Sequence, residues 1–204
     1  ALGPASLLKN QEVFSGWIDV DGSHDPKGLY ETYKVVFKEM ADEQIALGNS
    51  VDYWKNILDL ANNTGVYSLE NYYKLNGAAN GVAEILAKDK VINVAKADYG
   101  NDTPSENGAI VNWNKYKIGQ ILDEKGLNEK ISYTDRLSEI TIPSLVLWGK
   151  YDIVVPTRYA QEAFDNLGST DKDIFIFEKS AHSPMFTEPD LFADKVIEFV
   201  NSHK

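Results

Sequence analysis

The strongest constraint on the fold is the alternation of two apolar runs with two amphipathic segments over residues 140–200. The runs 144–149 and 173–177 are short and almost continuously apolar, as in strands that are covered on both faces. Pro156-Thr157 opens a helical pattern between them, and a second helical pattern follows Thr187-Glu188-Pro189. Strand, helix, strand and helix in this order predict a parallel sheet with right-handed crossovers, which is an α/β fold.

The region before this alternation predicts one strand and then a mainly helical segment. Residues 13–20 are rich in β-branched and aromatic side chains and end at a polar cluster, so they predict a strand. Helical spacing and capping residues predict the remaining elements: helices at 29–47, after Ser50, after Ser68 and at 113–122, and a loop at 98–110. The helix after Ser68 is expected to break at Asn76-Gly77 and Asn80-Gly81.

The composition excludes several functional classes. The 204 residues include 31 acidic and 20 basic side chains, for a formal charge of −11, so we expect no binding to nucleic acids or to anionic membrane surfaces. The chain has no cysteine, which excludes disulfides, thiolate nucleophiles and cysteine metal sites. No apolar run approaches the ~20 residues of a membrane span. We expect a soluble chain and favour the cytoplasm, although the compartment stays open because Ala1-Leu2-Gly3-Pro4 does not look like a natural start.

Two polar side chains follow the two apolar strands. Asp152 comes three residues after Gly149, and His182 comes five residues after Phe177. Because the carboxyl ends of neighbouring parallel strands lie at one edge of a sheet, ~4.8 Å apart, these side chains can approach hydrogen-bonding distance. A carboxylate that accepts from one imidazole nitrogen fixes the tautomer, so the other nitrogen can take a proton. We therefore expect a distance of ~2.7–3.2 Å between Asp152 and His182.

These residues resemble the C-terminal part of an α/β-hydrolase. The resemblance rests on G-x-x-D-x-x-x-P at Gly149, Asp152 and Pro156, and on Ala181-His182-Ser183-Pro184 thirty residues after the aspartate. It implies that Asp152 is the acid and His182 the base of a catalytic triad, with a small-molecule or peptide substrate and neither a metal nor an organic cofactor. It also implies a core formed by 1–25 and 136–204 and a helical cap at 26–135. Proline-iminopeptidase-like hydrolases are the first members to compare.

The chain departs from this family in one respect. No G-x-S-x-G nucleophile elbow occurs in the 204 residues. By the resemblance, the nucleophile would precede Ala1, and its identity as Ser or Asp stays open. We therefore expect the chain to be the C-terminal portion of an ester, amide or peptide hydrolase and to be inactive alone. The alternative is a non-catalytic fragment that binds a ligand or partner and retains the Asp–His pair as a relic.

Other candidates have simpler structural interpretations. His24 and Asp25 form a second imidazole and carboxylate pair, for which a turn before the helical segment is favoured. Ser180 and Ser183 flank His182 too closely to be favoured as its nucleophile. The aromatic side chains of the cap are expected to pack in its core rather than to line a pocket. The acidic side chains of the cap are expected to face solvent rather than to contact a substrate amine. These cap residues are Tyr53, Trp54, Tyr67, Tyr72, Tyr73, Glu70 and Glu84.

The strand at 13–20 also predicts an interaction. In the parent fold it would pair with 145–148 on one side and with a strand of the absent N-terminal half on the other. An unpaired edge of this kind presents N–H and C=O groups to other strands. We therefore expect self-association through residues 13–20 or pairing with the N-terminal half.

Overall fold

The computed structural model describes residues 2–95, 117, 120–121, 124–126 and 130–203. Three strands and seven α-helices lie within these ranges. The strands are β1 (Trp17–Val20), β2 (Ser144–Gly149) and β3 (Lys172–Phe177). The helices are α1 (Leu2–Asn10), α2 (Pro26–Ala46), α3 (Val51–Asn63), α4 (Leu69–Lys88), α5 (Arg158–Asn166), α6 (Pro184–Thr187) and α7 (Pro189–Ser202). The predicted loop at 98–110 lies outside the described residues, as does most of the predicted helix at 113–122.

The three strands form one parallel sheet in the order β1-β2-β3. Trp17 is opposite Ser144, and Ser144 is opposite Lys172, so the three strands start at one level and their carboxyl ends meet at one edge. All six residues of β2 are buried, because this strand has a neighbour on each side and helices on both faces. The predicted α/β class and the pairing of the first strand with residues 145–148 are confirmed.

The first strand is shorter than the predicted 13–20. Residues Gln11–Val13 form a 3₁₀ turn, and the ladder begins where the Trp17 N–H donates to the Pro143 carbonyl at 2.8 Å. Val13 and Phe14 are exposed, because they precede Trp17, the first residue of β1 that has a partner in β2. β-Propensity alone therefore placed the start of the strand too early.

The helix after Ser68 is also different from the prediction, because it continues through both Asn-Gly pairs as α4. The Ser68 hydroxyl caps it by accepting from the Asn71 N–H at 3.1 Å, as expected. Leu75, Ala79, Val82 and Leu86 recur at helical spacing and are buried, so packing of this face outweighs the low helix propensity of the glycines.

The sheet separates two apolar layers. Leu145, Leu147 and Phe177 pack against Phe192, Val196 and Phe199 of α7 on one face. Val146 and Trp148 face the larger cluster, which also contains α2, α3, α4 and α5. The division into a core at 1–25 and 136–204 and a cap at 26–135 stays a prediction. Among the described helices, none has the length and apolar character needed to cross a bilayer.

Candidate active site

Three polar side chains meet at the carboxyl edge of the sheet. Asp21 directly follows β1, Asp152 lies in the loop after β2, and His182 lies in the loop after β3. One oxygen of each carboxylate and one nitrogen of the imidazole all lie within 4.8 Å of one another. The common level of the strands produces this arrangement, because residues just past three aligned strands must lie side by side.

The loop after β2 holds Asp152 in a fixed orientation. Its Oδ1 accepts from the N–H groups of Val154 at 2.8 Å and Val155 at 3.0 Å. Its Oδ2 lies 2.9 Å from His182 Nδ1, within the distance expected from the sequence. Asp152 is 2% exposed, so these donors take the place of water around its carboxylate.

The loop after β3 packs tightly against the end of β2. The Tyr151 N–H donates to the Ser180 carbonyl at 3.0 Å. A Cβ added to Gly149 would lie only 2.0 Å from the Ala181 carbonyl oxygen, so this close approach requires glycine. The residue after His182, Ser183, has a φ of 72°, in the left-handed region. The backbone on both sides of His182 is therefore tightly constrained.

The surroundings of the pair favour a charged imidazole. Burial lowers the pKa of His182, but the hydrogen bond and charge of Asp152, together with the charge of Asp21, reverse this effect and raise the pKa overall. Burial raises the pKa of the Asp152 carboxyl, and the hydrogen bonds from His182 and the two amides oppose the rise. The site can therefore stabilise a proton that His182 takes up.

Asp21 is the residue that the sequence prediction missed. It is 5% exposed, and its carboxylate accepts from the Gly149 N–H at 3.1 Å and the Ser183 N–H at 2.7 Å. Burial, with the neighbouring charge of Asp152, raises its pKa to about 7. Its position directly after a strand that neighbours the Asp152 strand is the sequence signal that could have identified it.

The cluster of two carboxylates and one imidazole has the composition of a cation site. Each carboxylate oxygen, however, accepts at least one hydrogen bond from the protein: Asp21 from two amides, and Asp152 from two amides and His182. Hydrogen bonding therefore accounts for the cluster, and we assign no metal to it.

Two cavities have His182 and residues of α4 in their walls. One has a volume of about 300 Å³ and is lined by Asn80, Tyr151 and Ser183 among others. The other has a volume of about 440 Å³ and is mainly apolar, with Ile92 and Val94 in its wall. Ala83, Ala181 and His182 line both. The imidazole is therefore accessible from space that can hold a small organic group.

The remaining candidates lie elsewhere or have structural partners. His24 is buried against the Tyr159 ring, with its Nε2 3.5 Å from Glu162. Ser180 donates to Glu188 at 2.6 Å and accepts from Thr187. Glu84 lines the larger of these two cavities. The five aromatic candidates line neither of them: Tyr53, Trp54, Tyr67, Tyr72 and Tyr73.

The comparison with solved structures decides the fold. The proline iminopeptidase of Mycobacterium smegmatis superposes over 99% of this chain and 62% of its own with a TM-score of 0.55 at 18% identity. An α/β fold family hydrolase of Bacillus anthracis str. Sterne covers 100% of this chain and 63% of its own, with a TM-score of 0.52 at 15% identity. The chain has an α/β-hydrolase fold.

Sequence comparisons place the similarity to α/β-hydrolases around Asp152 and His182. The family described as "Serine aminopeptidase, S33" matches residues 127–190. A pimeloyl-[acyl-carrier protein] methyl ester esterase of Vibrio vulnificus is 34% identical over 70 residues, which are 34% of this chain and 27% of that protein. A proline iminopeptidase of Heyndrickxia coagulans is 38% identical over 69 residues, 34% of this chain and 23% of that protein. The chain thus matches about a quarter of the length of these relatives.

Proposed function

We propose that this chain supplies the acid and the base of an α/β-hydrolase that cleaves ester, amide or peptide bonds. The observation that carries the proposal is the 2.9 Å contact between Asp152 Oδ2 and His182 Nδ1, at the edge of the sheet where both neighbouring loops converge. The names of the similar proteins, esterase and proline iminopeptidase, and the family description serine aminopeptidase support the reaction class.

The roles of the two residues follow from the contact. Asp152 accepts from Nδ1 and so fixes the tautomer in which Nε2 is the basic nitrogen. Nε2 then removes the proton of the nucleophile as it attacks the carbonyl carbon, and the resulting imidazolium protonates the leaving group. In the second half-reaction His182 deprotonates a water that attacks the acyl intermediate. Asp152 and Asp21, both buried, stabilise the imidazolium in each step.

The nucleophile and the oxyanion donors would come from a segment outside these 204 residues. For the cleavage of ester, amide or peptide bonds we propose a Ser nucleophile, whose hydroxyl proton His182 removes. The described site does not distinguish it from an Asp nucleophile, which has no proton to lose and would form an alkyl-enzyme ester on a halide or epoxide instead. Oxyanion stabilisation and covalent catalysis supply most of the rate enhancement in acyl transfer. The 204-residue chain alone is therefore expected to show no hydrolase turnover.

The test uses the reading frame extended upstream of the Ala1 codon, assayed with p-nitrophenyl esters and a fluorophosphonate label. His182→Ala is expected to lower kcat/KM by about 10³-fold or more, and Asp152→Asn by about 10²–10⁴-fold. His203→Ala is the matched control, because His203 is also paired with a carboxylate, Asp171, at 3.0 Å. It should leave kcat/KM unchanged.

Two results would contradict the proposal. If the extended protein neither labels nor hydrolyses any ester or peptide tested, the chain is better described as a binding fragment with a relic Asp–His pair. If the 204-residue chain itself turns over an ester and His182→Ala abolishes that activity, the expectation of inactivity is wrong. Ser183→Ala would then be the first variant to test for the nucleophile.

A further inference from the structure

Asp21 is a buried carboxylate that the proposed mechanism does not require as acid or base. The family match at 127–190 does not include Asp21, and His182 Nδ1 is already hydrogen-bonded to Asp152. The two oxygens of Asp21 nevertheless accept hydrogen bonds from two different segments of the chain: Oδ1 from the Gly149 N–H and Oδ2 from the Ser183 N–H. A carboxylate buried in this way needs a physical reason, because burial of a charge is costly.

Each of the two amides belongs to a residue that is linked to one member of the pair, by a hydrogen bond or by a peptide bond. Gly149 ends β2, and its carbonyl accepts from the Asp152 N–H at 3.2 Å and the Thr157 hydroxyl at 2.7 Å. Ser183 is bonded covalently to His182, has a left-handed φ of 72°, and donates its N–H to Asp21 Oδ2. The Asp21 carboxylate is thus hydrogen-bonded to Gly149, just before the loop that carries Asp152 (the acid loop), and to Ser183 in the loop that carries His182 (the histidine loop).

We propose that Asp21 is a positioning residue whose carboxylate bridges the Gly149 and Ser183 N–H groups and so holds Asp152 and His182 in contact. The inference rests on the proposed function, since it assigns a supporting role in that site. Once Asp21 ionises, at about pH 7, the bridge also places a second negative charge near the imidazole, which adds to that of Asp152 and favours the protonated form.

The test is NMR spectroscopy on the isotope-labelled 204-residue chain, compared with Asp21→Asn and Asp19→Asn. Asparagine keeps the shape of the side chain and tolerates the φ of 47° at Asp21, but its NH₂ group cannot accept a hydrogen bond. Asp19→Asn is the matched control, because Asp19 is a second buried carboxylate from the same strand.

In Asp21→Asn the His182 pKa is expected to fall, because a neighbouring negative charge is removed. Because asparagine retains only one acceptor oxygen, either the Gly149 or the Ser183 amide is expected to exchange about tenfold faster, while the Val154 amide, which donates to Asp152, keeps its rate. Asp19→Asn should leave the His182 pKa and the exchange of Gly149 and Ser183 relative to Val154 unchanged. A folded Asp21→Asn chain with an unchanged His182 pKa and unchanged exchange of both Gly149 and Ser183 would overturn the proposal.

If Asp21→Asn does not fold, His182→Ala provides a test that is free of the titration of the neighbouring imidazole. In this variant the Gly149 and Ser183 amide shifts should follow one common titration step, that of the carboxylate to which both donate. Independent titration of the two amides would overturn the bridge.

Activity separates this inference from the proposed function. In the extended enzyme, Asp21→Asn should move the acid limb of the kcat/KM profile to lower pH, because His182 then stays neutral at lower pH. An inactive extended protein in which the NMR effects are present contradicts the function and supports the bridge. An active protein in which Asp21→Asn affects neither the pH profile nor the exchange of the Gly149 and Ser183 amides contradicts the bridge alone.

Discussion

At the scale of single residues, the two buried aspartates at the end of the first strand differ in their surroundings. Asp21 has two amide donors, whereas Asp19 lies beside Gly22, where an added Cβ would come within 2.1 Å of its carboxylate. Burial raises the pKa of Asp19 from 3.8 to about 7. Asp19 therefore has a strong preference for its neutral form in the folded chain.

This preference predicts a pH-dependent gain in stability for Asp19→Asn. An acid whose pKa is raised on folding contributes stability below its unfolded pKa, here 3.8, and this contribution is lost as the pH rises through about 7. The variant should match wild type near pH 4 and exceed it at pH 8 by up to about 4 kcal/mol. Urea denaturation at both pH values measures the difference. An equal stability difference at both pH values would contradict the raised pKa.

At the scale of secondary structure elements, α4 shows how packing changes the outcome of local propensity. Two Asn-Gly pairs predict a break, but buried Leu75, Ala79, Val82 and Leu86 fix one continuous face against the helices beside it. The first of these glycines, Gly77, is exposed, and an added Cβ would meet no atom within 4 Å. It therefore lies in an ordinary helical position that an alanine can occupy.

Gly77→Ala is expected to stabilise the chain. Removing a helical glycine lowers the conformational entropy of the unfolded state, which is worth about 0.5–1 kcal/mol. Gly48→Ala is the control: it also has open space around it, but its φ is 77°, so the change should cost about 1 kcal/mol. Thermal or urea unfolding of both variants checks the prediction. Destabilisation by Gly77→Ala would show that the helix is interrupted after all.

At the scale of the whole molecule, the side of β1 that faces away from β2 is the feature with the largest consequence. Among the described residues, β1 pairs only with β2. The N–H groups of Trp17 and Asp21 donate to carbonyls of the β2 segment. By the two-residue period of a strand, the N–H of Asp19 faces β2 as well, and those of Ile18 and Val20 face away from β2. This edge of β1 is where we propose self-association or pairing with the N-terminal half.

Hydrogen exchange tests this proposal within one strand. In dilute solution the amides of Ile18 and Val20 should exchange fast, while the amide of Asp19 is protected by the ladder. At higher micromolar concentration the first two should gain protection, together with a larger mass in sedimentation. Asp19 is the internal control. Protection of Ile18 and Val20 that is independent of concentration in a monomer would contradict pairing through this edge.

Much of the site could be predicted because its determinants are local. The apolar run before Gly149 and the polar residues after it identify a buried strand and a loop at its carboxyl end, and the same holds for Phe177 and His182. Once the strands are parallel neighbours, their carboxyl ends coincide, so Asp152 and His182 must lie close together. Their 2.9 Å contact follows from that logic.

The sequence by itself therefore determined the α/β class, the parallel pairing and the closeness of Asp152 to His182. These follow from the hydrophobic pattern of consecutive residues and from the order of strands and helices along the chain. Only the tertiary structure decided that β1 starts at Trp17, that α4 continues through its glycines and that Asp21 joins the acid loop to the histidine loop. These outcomes depend on register and on packing between residues far apart in the chain. Asp21 and Ser183 are 162 positions apart, and no local pattern encodes a hydrogen bond between them.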